Sequence, residues 1–119
     1  MSGSIVIVDD EQDLVNLFRE ALEMQGYKVC SFTNPILAYS VIKQNPSKYS
    51  LLIADYKMPG MDGLSLVSKI LELNNKINVI LISAYDDIKS SYEFLRKPIP
   101  ISILIKTVEN KIGNSFSDK

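Results

Sequence analysis

The sequence predicts a single α/β domain built on a doubly wound parallel sheet with helices on both faces. Short apolar runs of strand length alternate with segments whose apolar residues recur at helical spacing. The runs stay aliphatic almost to their last position, which is typical of strands covered on both faces. Polar side chains follow directly, at the sheet edge where open α/β sheets bind ligands. A binding site at that edge is therefore expected.

The strands and helices follow one another in alternation along the chain. Strands are predicted at residues 5–8, 27–32, 51–55, 78–83 and 92–97. The first helix carries its apolar face at Leu14, Leu17, Phe18, Ala21 and Leu22. Gly26 ends that helix, and Asn34-Pro35 provides the cap and first turn of the second. Asn45-Pro46 ends the second helix.

Two more helices complete the predicted fold. The turn 58–63 leads into a helix whose inward residues are Leu64, Val67, Ile70 and Leu71. Pro98 and Pro100 open a last helix with Ile101, Leu104, Ile105, Val108 and Ile112 on one face. We expect residues 1–119 to form one domain with a core at about 5–112, and residues 113–119 to fray.

Composition limits the possible functions. The chain of 119 residues is 46% apolar and 23% charged, which is typical of a globular domain. Its net charge of -1 provides no general attraction for nucleic acid or an anionic membrane. Cys30 has no partner for a disulfide, and no apolar run could span a bilayer, so we expect a cytoplasmic protein. Histidine is absent, which excludes a histidine base, ligand or phosphohistidine within this chain.

Five polar residues close the predicted strands: Asp9, Asp10, Asp55, Ser83 and Lys97. Taken singly, these residues are commonly helix caps, turn residues or solvated charges. Together they are the groups that transfer of a phosphoryl group to a carboxylate requires. Asp55 would be the nucleophile, while Asp9 and Asp10 would bind Mg²⁺ with it. The Lys97 ammonium and the Ser83 hydroxyl would contact phosphoryl oxygens.

Four motifs resemble the receiver domain of two-component response regulators. They are Val8-Asp9-Asp10-Glu11, Asp55-Tyr56-Lys57-Met58-Pro59-Gly60-Met61-Asp62-Gly63, Ser83-Ala84 and Phe94-Leu95-Arg96-Lys97-Pro98. The resemblance extends over most of the chain and is closest to single-domain, chemotaxis-type receivers. It implies a flavodoxin-like five-stranded sheet with the order 2-1-3-4-5.

The resemblance also implies a mechanism and a set of roles. A sensor histidine kinase or phosphotransfer protein would phosphorylate Asp55, and altered binding of an unknown downstream protein would carry the signal. Mg²⁺ would be held by Asp9, Asp10, Asp55 and the backbone carbonyl of Lys57. Ser83 and Phe94 would form a switch pair, although Phe94 is as readily explained as an ordinary core ring. The Lys97-Pro98 bond would be cis. The domain would phosphorylate and dephosphorylate itself without acting on a separate substrate.

Three alternative functions compete with the receiver interpretation. A Mg²⁺-dependent phosphatase of the haloacid dehalogenase type would place its nucleophile on the first strand in an Asp-x-Asp arrangement, whereas Asp9 and Asp10 are adjacent. A nucleotide or flavin binder would need a glycine-rich loop after that strand, which the sequence lacks. A degenerate receiver that serves only as a docking module stays open.

The segment between the fourth and fifth strands is shorter than the family pattern. Residues 85–91, from Tyr85 to Ser91, must return along the sheet, whereas a parallel crossover takes about a dozen residues. Seven residues span about 10 Å as helix but up to about 24 Å extended. We expect the helix at this position to be shortened or missing. Apolar sheet surface near strands four and five would then be exposed, and this region could mediate a homodimer or altered partner docking.

Overall fold

The computed structural model describes residues 3–84 and 90–113 and contains one five-stranded sheet. The strand order is β2-β1-β3-β4-β5 and every neighbouring pair is parallel. The strands are β1 Ser4–Val8, β2 Val29–Phe32, β3 Tyr49–Asp55, β4 Asn78–Ser83 and β5 Glu93–Arg96. The helices are α1 Gln12–Met24, α2 Pro35–Gln44, α3 Gly63–Leu73 and α4 Ile101–Ile112, with a 3-10 turn at Pro46–Lys48. The predicted fold class and strand order are confirmed.

Alternate residues of each central strand face two separate apolar cores. One core joins the sheet to α2 and α3 and includes Val6, Leu52, Leu81, Ala38, Ile42, Leu66 and Ile70. The other joins the sheet to α1 and α4 and includes Ile7, Ile53, Ile80, Phe18, Leu22, Leu104 and Val108. Because both faces are covered, β1, β3 and β4 are buried almost throughout. This explains why their sequences are continuously aliphatic.

Local interactions set several element boundaries. The Asn34 side chain accepts hydrogen bonds from Ile36 N and Leu37 N, as expected of the predicted cap of α2. β2 begins two residues later than predicted because Tyr27 closes the end of α1. Its backbone N–H donates to Leu22 O at 3.2 Å, and its hydroxyl donates to Gly113 O at 2.7 Å, beyond the end of α4.

The connection from β4 to β5 has nine residues, 84–92. This is fewer than the dozen or so residues that a parallel crossover normally needs. The length of the connection therefore confirms the prediction of a shortened or missing helix. None of the residues that the structure describes in this connection is helical. Residues 85–89 lie outside the described residues, and with them most of the surface that we expected to mediate a homodimer. That interface stays a prediction.

The loop that follows β3 folds back tightly on the end of the strand. Gly63 N donates to Tyr56 O at 2.8 Å, and a Cβ atom at Gly63 would lie 2.5 Å from Asp55 O. The Asp62 side chain caps α3 by accepting from Ser65 N at 2.8 Å. Only glycine fits the first position of α3, because any side chain would collide with the backbone of the residue that ends β3.

We expect Gly63→Ala to lower the free energy of unfolding by about 1–3 kcal/mol, since the added methyl group must push β3 and α3 apart. Ser68→Ala, at an exposed position of the same helix, is the matched control and should change stability little. Urea unfolding followed by circular dichroism measures both. Equal stability of the two variants would contradict the close approach.

Candidate functional site

The ends of three parallel strands place Asp9, Asp55 and Lys97 together. Each position is held by a backbone hydrogen bond that extends the sheet by one residue. Asp9 N donates to Phe32 O at 3.1 Å, Tyr56 N donates to Ile82 O at 2.8 Å, and Lys97 N donates to Ser83 O at 2.7 Å. The side chains at this edge are therefore anchored by backbone hydrogen bonds to the sheet.

Three aspartates meet at this edge. Asp9 is completely buried, Asp55 is 6% exposed and Asp10 is exposed. One carboxylate oxygen from each lies within 4.8 Å of the others. The structure thus brings together the three carboxylates that the sequence predicted as cation ligands. Like charges this close repel one another unless a cation or a proton is present.

One oxygen of the buried Asp9 carboxylate is suited to bind a cation. Asp9 Oδ1 accepts a hydrogen bond from Glu11 N at 3.0 Å, but Oδ2 has no hydrogen-bond partner among the described residues. Lys97 Nζ lies 2.9 Å from Oδ2, a distance that makes an ion pair without hydrogen-bond geometry. A hard, buried oxygen beside two further carboxylates is a fitting ligand for Mg²⁺.

Lys97 is the positive charge of the site. Its Nζ lies 2.6 Å from Glu11 Oε1, 2.9 Å from Asp9 Oδ2 and 3.4 Å from Asp55 Oδ2. Burial by itself lowers the pKa of the ammonium, but the hydrogen bond to Glu11 and the nearby negative charges of Asp9 and Asp55 outweigh burial and raise the pKa. Lys97 therefore stays protonated at neutral pH.

The two buried acids hold protons more tightly than exposed aspartates do. Burial raises the pKa of Asp55 from 3.8 to about 6, and the charge of Asp9 adds to the increase. Lys97 and a hydrogen bond from the Lys57 backbone oppose this increase. Burial also raises the pKa of Asp9, against the effects of the Glu11 backbone N–H and Lys97. Without a further cation, ionising this site at neutral pH costs free energy.

The remaining predicted residues surround the acids. Ser83 is fully buried at the end of β4 and pairs in register with Arg96. Phe94 pairs with Leu81, is partly buried and packs against the core beneath α2 and α3. Their roles as a switch pair stay predictions. Lys57 is exposed in the loop after Asp55, and the role of its carbonyl also stays a prediction.

The peptide bond that follows the site lysine is cis, between Lys97 and Pro98. Pro98 is exposed, and it lines a groove of about 500 Å³ beside the acids. The other residues of the groove are Glu11, Leu14, Leu17, Ala84, Lys97 and Ile99. Sequence analysis missed this groove, because its walls come from α1 and from the segment after β5, which are far apart in sequence.

Glu11 is a site residue to which the sequence analysis assigned no role. It belongs to the quoted motif Val8-Asp9-Asp10-Glu11, but only the structure shows its carboxylate on Lys97. The sequence feature that could have pointed to Glu11 as a site residue is its position next to two site acids at the start of a helix. No sequence pattern shows that Lys97, 86 positions away, is its partner.

The family model of the response regulator receiver domain matches residues 5–109, and the chain belongs to this family. The response regulator receiver protein CpdR of Brucella abortus is 28% identical over 116 residues, which cover 91% of this chain and 95% of CpdR. The receiver domain of the hybrid histidine kinase CckA is 31% identical, with a TM-score of 0.84, and the match covers 92% of this chain and 98% of that domain.

Other relatives are longer proteins. The C4-dicarboxylate transport transcriptional regulatory protein DctD of Rhizobium meliloti is 31% identical over 112 residues, which cover 87% of this chain but 24% of DctD. The chain thus spans about a quarter of that regulator's length. In the part of the chain that the structure describes, no helix is both long and apolar enough to cross a membrane.

The raised pKa of Asp55 predicts how stability depends on pH when divalent cations are removed. Between about pH 4 and 6 the folded protein binds more protons than the unfolded chain, so stability falls as the pH rises through this window. The change attributable to Asp55 is about 3 kcal/mol. Asp55→Asn removes this cost, and we expect it to be more stable than the wild type at pH 7.5.

Urea unfolding in a chelator at pH 4.5 and pH 7.5 measures this effect. Asp13→Asn, in the exposed first turn of α1, is the control and should keep the pH dependence of the wild type. Mg²⁺ should restore stability to the wild type at pH 7.5 and have little effect on Asp55→Asn. If the free energy of unfolding depends on pH in the same way for the wild type and Asp55→Asn, Asp55 is not the carboxyl group whose raised pKa causes the loss of stability.

Proposed function

We propose that this receiver domain accepts a phosphoryl group on Asp55 from a sensor histidine kinase or a phosphotransfer protein. The observation that carries the proposal is the position of Asp55. It is a buried carboxylate at a strand end, beside two further acids and 3.4 Å from the Lys97 ammonium. Transfer of an anionic group requires a nucleophile with positive charge close to it, which Lys97 supplies and a cation held by the three acids would supplement.

In the proposed reaction an Asp55 carboxylate oxygen attacks the phosphorus atom of the donor. The bond from phosphorus to the donor nitrogen or oxygen breaks, and the donor keeps the electron pair and takes up a proton. The Lys97 ammonium attracts the phosphoryl oxygens as the charge on them builds up. Water later attacks the aspartyl phosphate, which returns the Asp55 carboxylate and releases inorganic phosphate. No separate substrate is converted.

Mg²⁺ is the proposed cofactor, and the residues present fit it. Asp9, Asp10 and Asp55 offer clustered hard oxygens, and the buried Asp9 Oδ2 has no hydrogen bond among the described residues. When bound, Mg²⁺ neutralises the acids and the incoming phosphoryl oxygens. The chain's own residues supply the rest: the backbone N–H of Glu11 orients Asp9, and the backbone N–H of Lys57 orients Asp55.

The groove beside the acids is the proposed docking surface for the donor. It is lined mainly by apolar residues, and it reaches Lys97 of the site. An apolar groove that opens onto the acceptor lets a donor protein present its phosphoryl group while water is excluded. Small Ala84 at the mouth leaves room for that approach. Binding of an unidentified protein target would transmit the signal, with Ser83 and Phe94 as the proposed switch, in the cytoplasm.

Intact-protein mass spectrometry tests acceptance of the phosphoryl group. After incubation with acetyl phosphate and Mg²⁺, we expect the wild type to gain the mass of one phosphoryl group and Asp55→Asn to gain none. Chelation of Mg²⁺ should also abolish the adduct. Lack of an adduct with every small donor would contradict the proposal and favour a receiver that serves only as a docking module.

Leu17→Glu tests the docking groove. Leu17 is 50% exposed on α1 and lines the groove. A charge there should slow transfer from a histidine kinase by about tenfold or more, as a 1.4 kcal/mol loss of binding would, and leave the rate with acetyl phosphate unchanged. Met24→Glu adds the same charge to the same helix at an 81% exposed position that does not line the groove. If both variants slow the kinase equally, the groove is not the docking surface.

A further inference from the structure

Glu11 makes a contact that helix formation does not explain. It occupies the N-cap position of α1, yet its side chain makes no capping hydrogen bond. Instead, Glu11 Oε1 accepts a hydrogen bond from Lys97 Nζ at 2.6 Å, the shortest contact of that ammonium. The Glu11 side chain is 61% exposed, whereas Asp9 and Asp55 are buried. Glu11 therefore holds Lys97 from the solvent side of the site.

Lys97 and a divalent cation compete for the same two carboxylates. The ammonium lies 2.9 Å from Asp9 Oδ2 and 3.4 Å from Asp55 Oδ2. Both carboxylates belong to the cluster that fits a cation, and Asp9 Oδ2 is its buried oxygen without a hydrogen bond. An ammonium and a divalent cation on the same oxygen repel each other, which weakens both contacts. Binding of the cation therefore favours a position of Lys97 further from these acids.

We propose that Glu11 is a positioning residue that gives Lys97 an alternative partner at the exposed edge of the site, and so lets Mg²⁺ bind to Asp9 and Asp55. The inference rests on the proposed function, since it concerns the same cation. Glu11 is outside the cation cluster formed by Asp9, Asp10 and Asp55. Its carboxylate acts on the cation through Lys97.

Loss of the Glu11 carboxylate has a direct consequence for this competition. Of the three carboxylates that now contact Lys97, only Asp9 and Asp55 would then remain. The ammonium binds these two acids more tightly, because no third carboxylate shares its charge. A divalent cation must then displace the Lys97 ammonium from these acids, and the ammonium has no Glu11 carboxylate to move to. Mg²⁺ affinity therefore falls, although no ligand of the ion has been removed.

Isothermal titration calorimetry with MgCl₂ at fixed ionic strength measures this effect. We expect Glu11→Gln to raise the Kd for Mg²⁺ by about three- to fivefold, the size expected from one exposed ion pair. Asp13→Asn removes the same charge two residues further along α1 and should change the Kd less than about twofold, as expected for an exposed charge. Equal effects of the two variants would overturn the inference. Thermal unfolding of each variant without Mg²⁺ confirms that it is folded.

A second pair of variants separates positioning from simple attraction between Glu11 and the ion. Lys97→Met removes the competing ammonium, and we expect it to lower the Kd for Mg²⁺. In that background Glu11→Gln should change the Kd less than it does in the wild type, because Glu11 has no lysine to hold. An equal or larger change would show that Glu11 attracts the ion directly, which overturns the inference.

Failure of this inference and failure of the proposed function give different results. If the wild type binds Mg²⁺ and forms the acetyl phosphate adduct while Glu11→Gln matches Asp13→Asn, the inference alone is wrong. If the wild type binds no Mg²⁺ at millimolar concentrations, the inference and the proposed cofactor are both wrong. If Mg²⁺ binding follows the expected pattern but no adduct forms, the inference stands and the proposed acceptor is wrong.

Discussion

The burial of carboxylates with too little positive charge beside them is the constraint on which this site depends. Asp9 and Asp55 are almost inaccessible to solvent, and Lys97 is the ammonium that contacts both. Taking ionised groups out of water costs several kcal/mol per ion unless partners compensate for it. The site is therefore destabilising when both acids are ionised and no further cation is present. The same deficit of positive charge favours binding of a divalent cation.

The sheet is what allows this costly arrangement to persist. Backbone hydrogen bonds continue past the strand ends at Asp9, Tyr56 and Lys97, so the site groups are attached directly to the sheet. Two apolar cores hold that sheet from opposite faces. Gly63 adds a further restraint, because the start of α3 lies against the backbone of Asp55. Stability gained throughout the domain thus offsets the strain at one edge.

The contacts of Lys97 connect the chemistry to the surface. Its Nζ reaches the buried acids on one side and the exposed Glu11 on the other. Lys97 and Glu11 also line the groove in which we propose that the donor docks. A donor that fills this groove changes the solvation of the Glu11–Lys97 pair. Docking of the proposed donor in this groove would therefore be coupled to the position of the Lys97 ammonium.

The sequence by itself determined the fold class and the identity of the clustered acids, and its resemblance to receiver domains implied the strand order. Continuous aliphatic runs such as 51–54 are typical of strands covered on both faces, and residues that directly follow parallel strands meet at one sheet edge. Only the tertiary structure decided the contact of Glu11 with Lys97, the groove, and the extra burial that raises the pKa of Asp55. These properties depend on distances between segments remote in sequence, which the local pattern of apolar and polar residues does not encode.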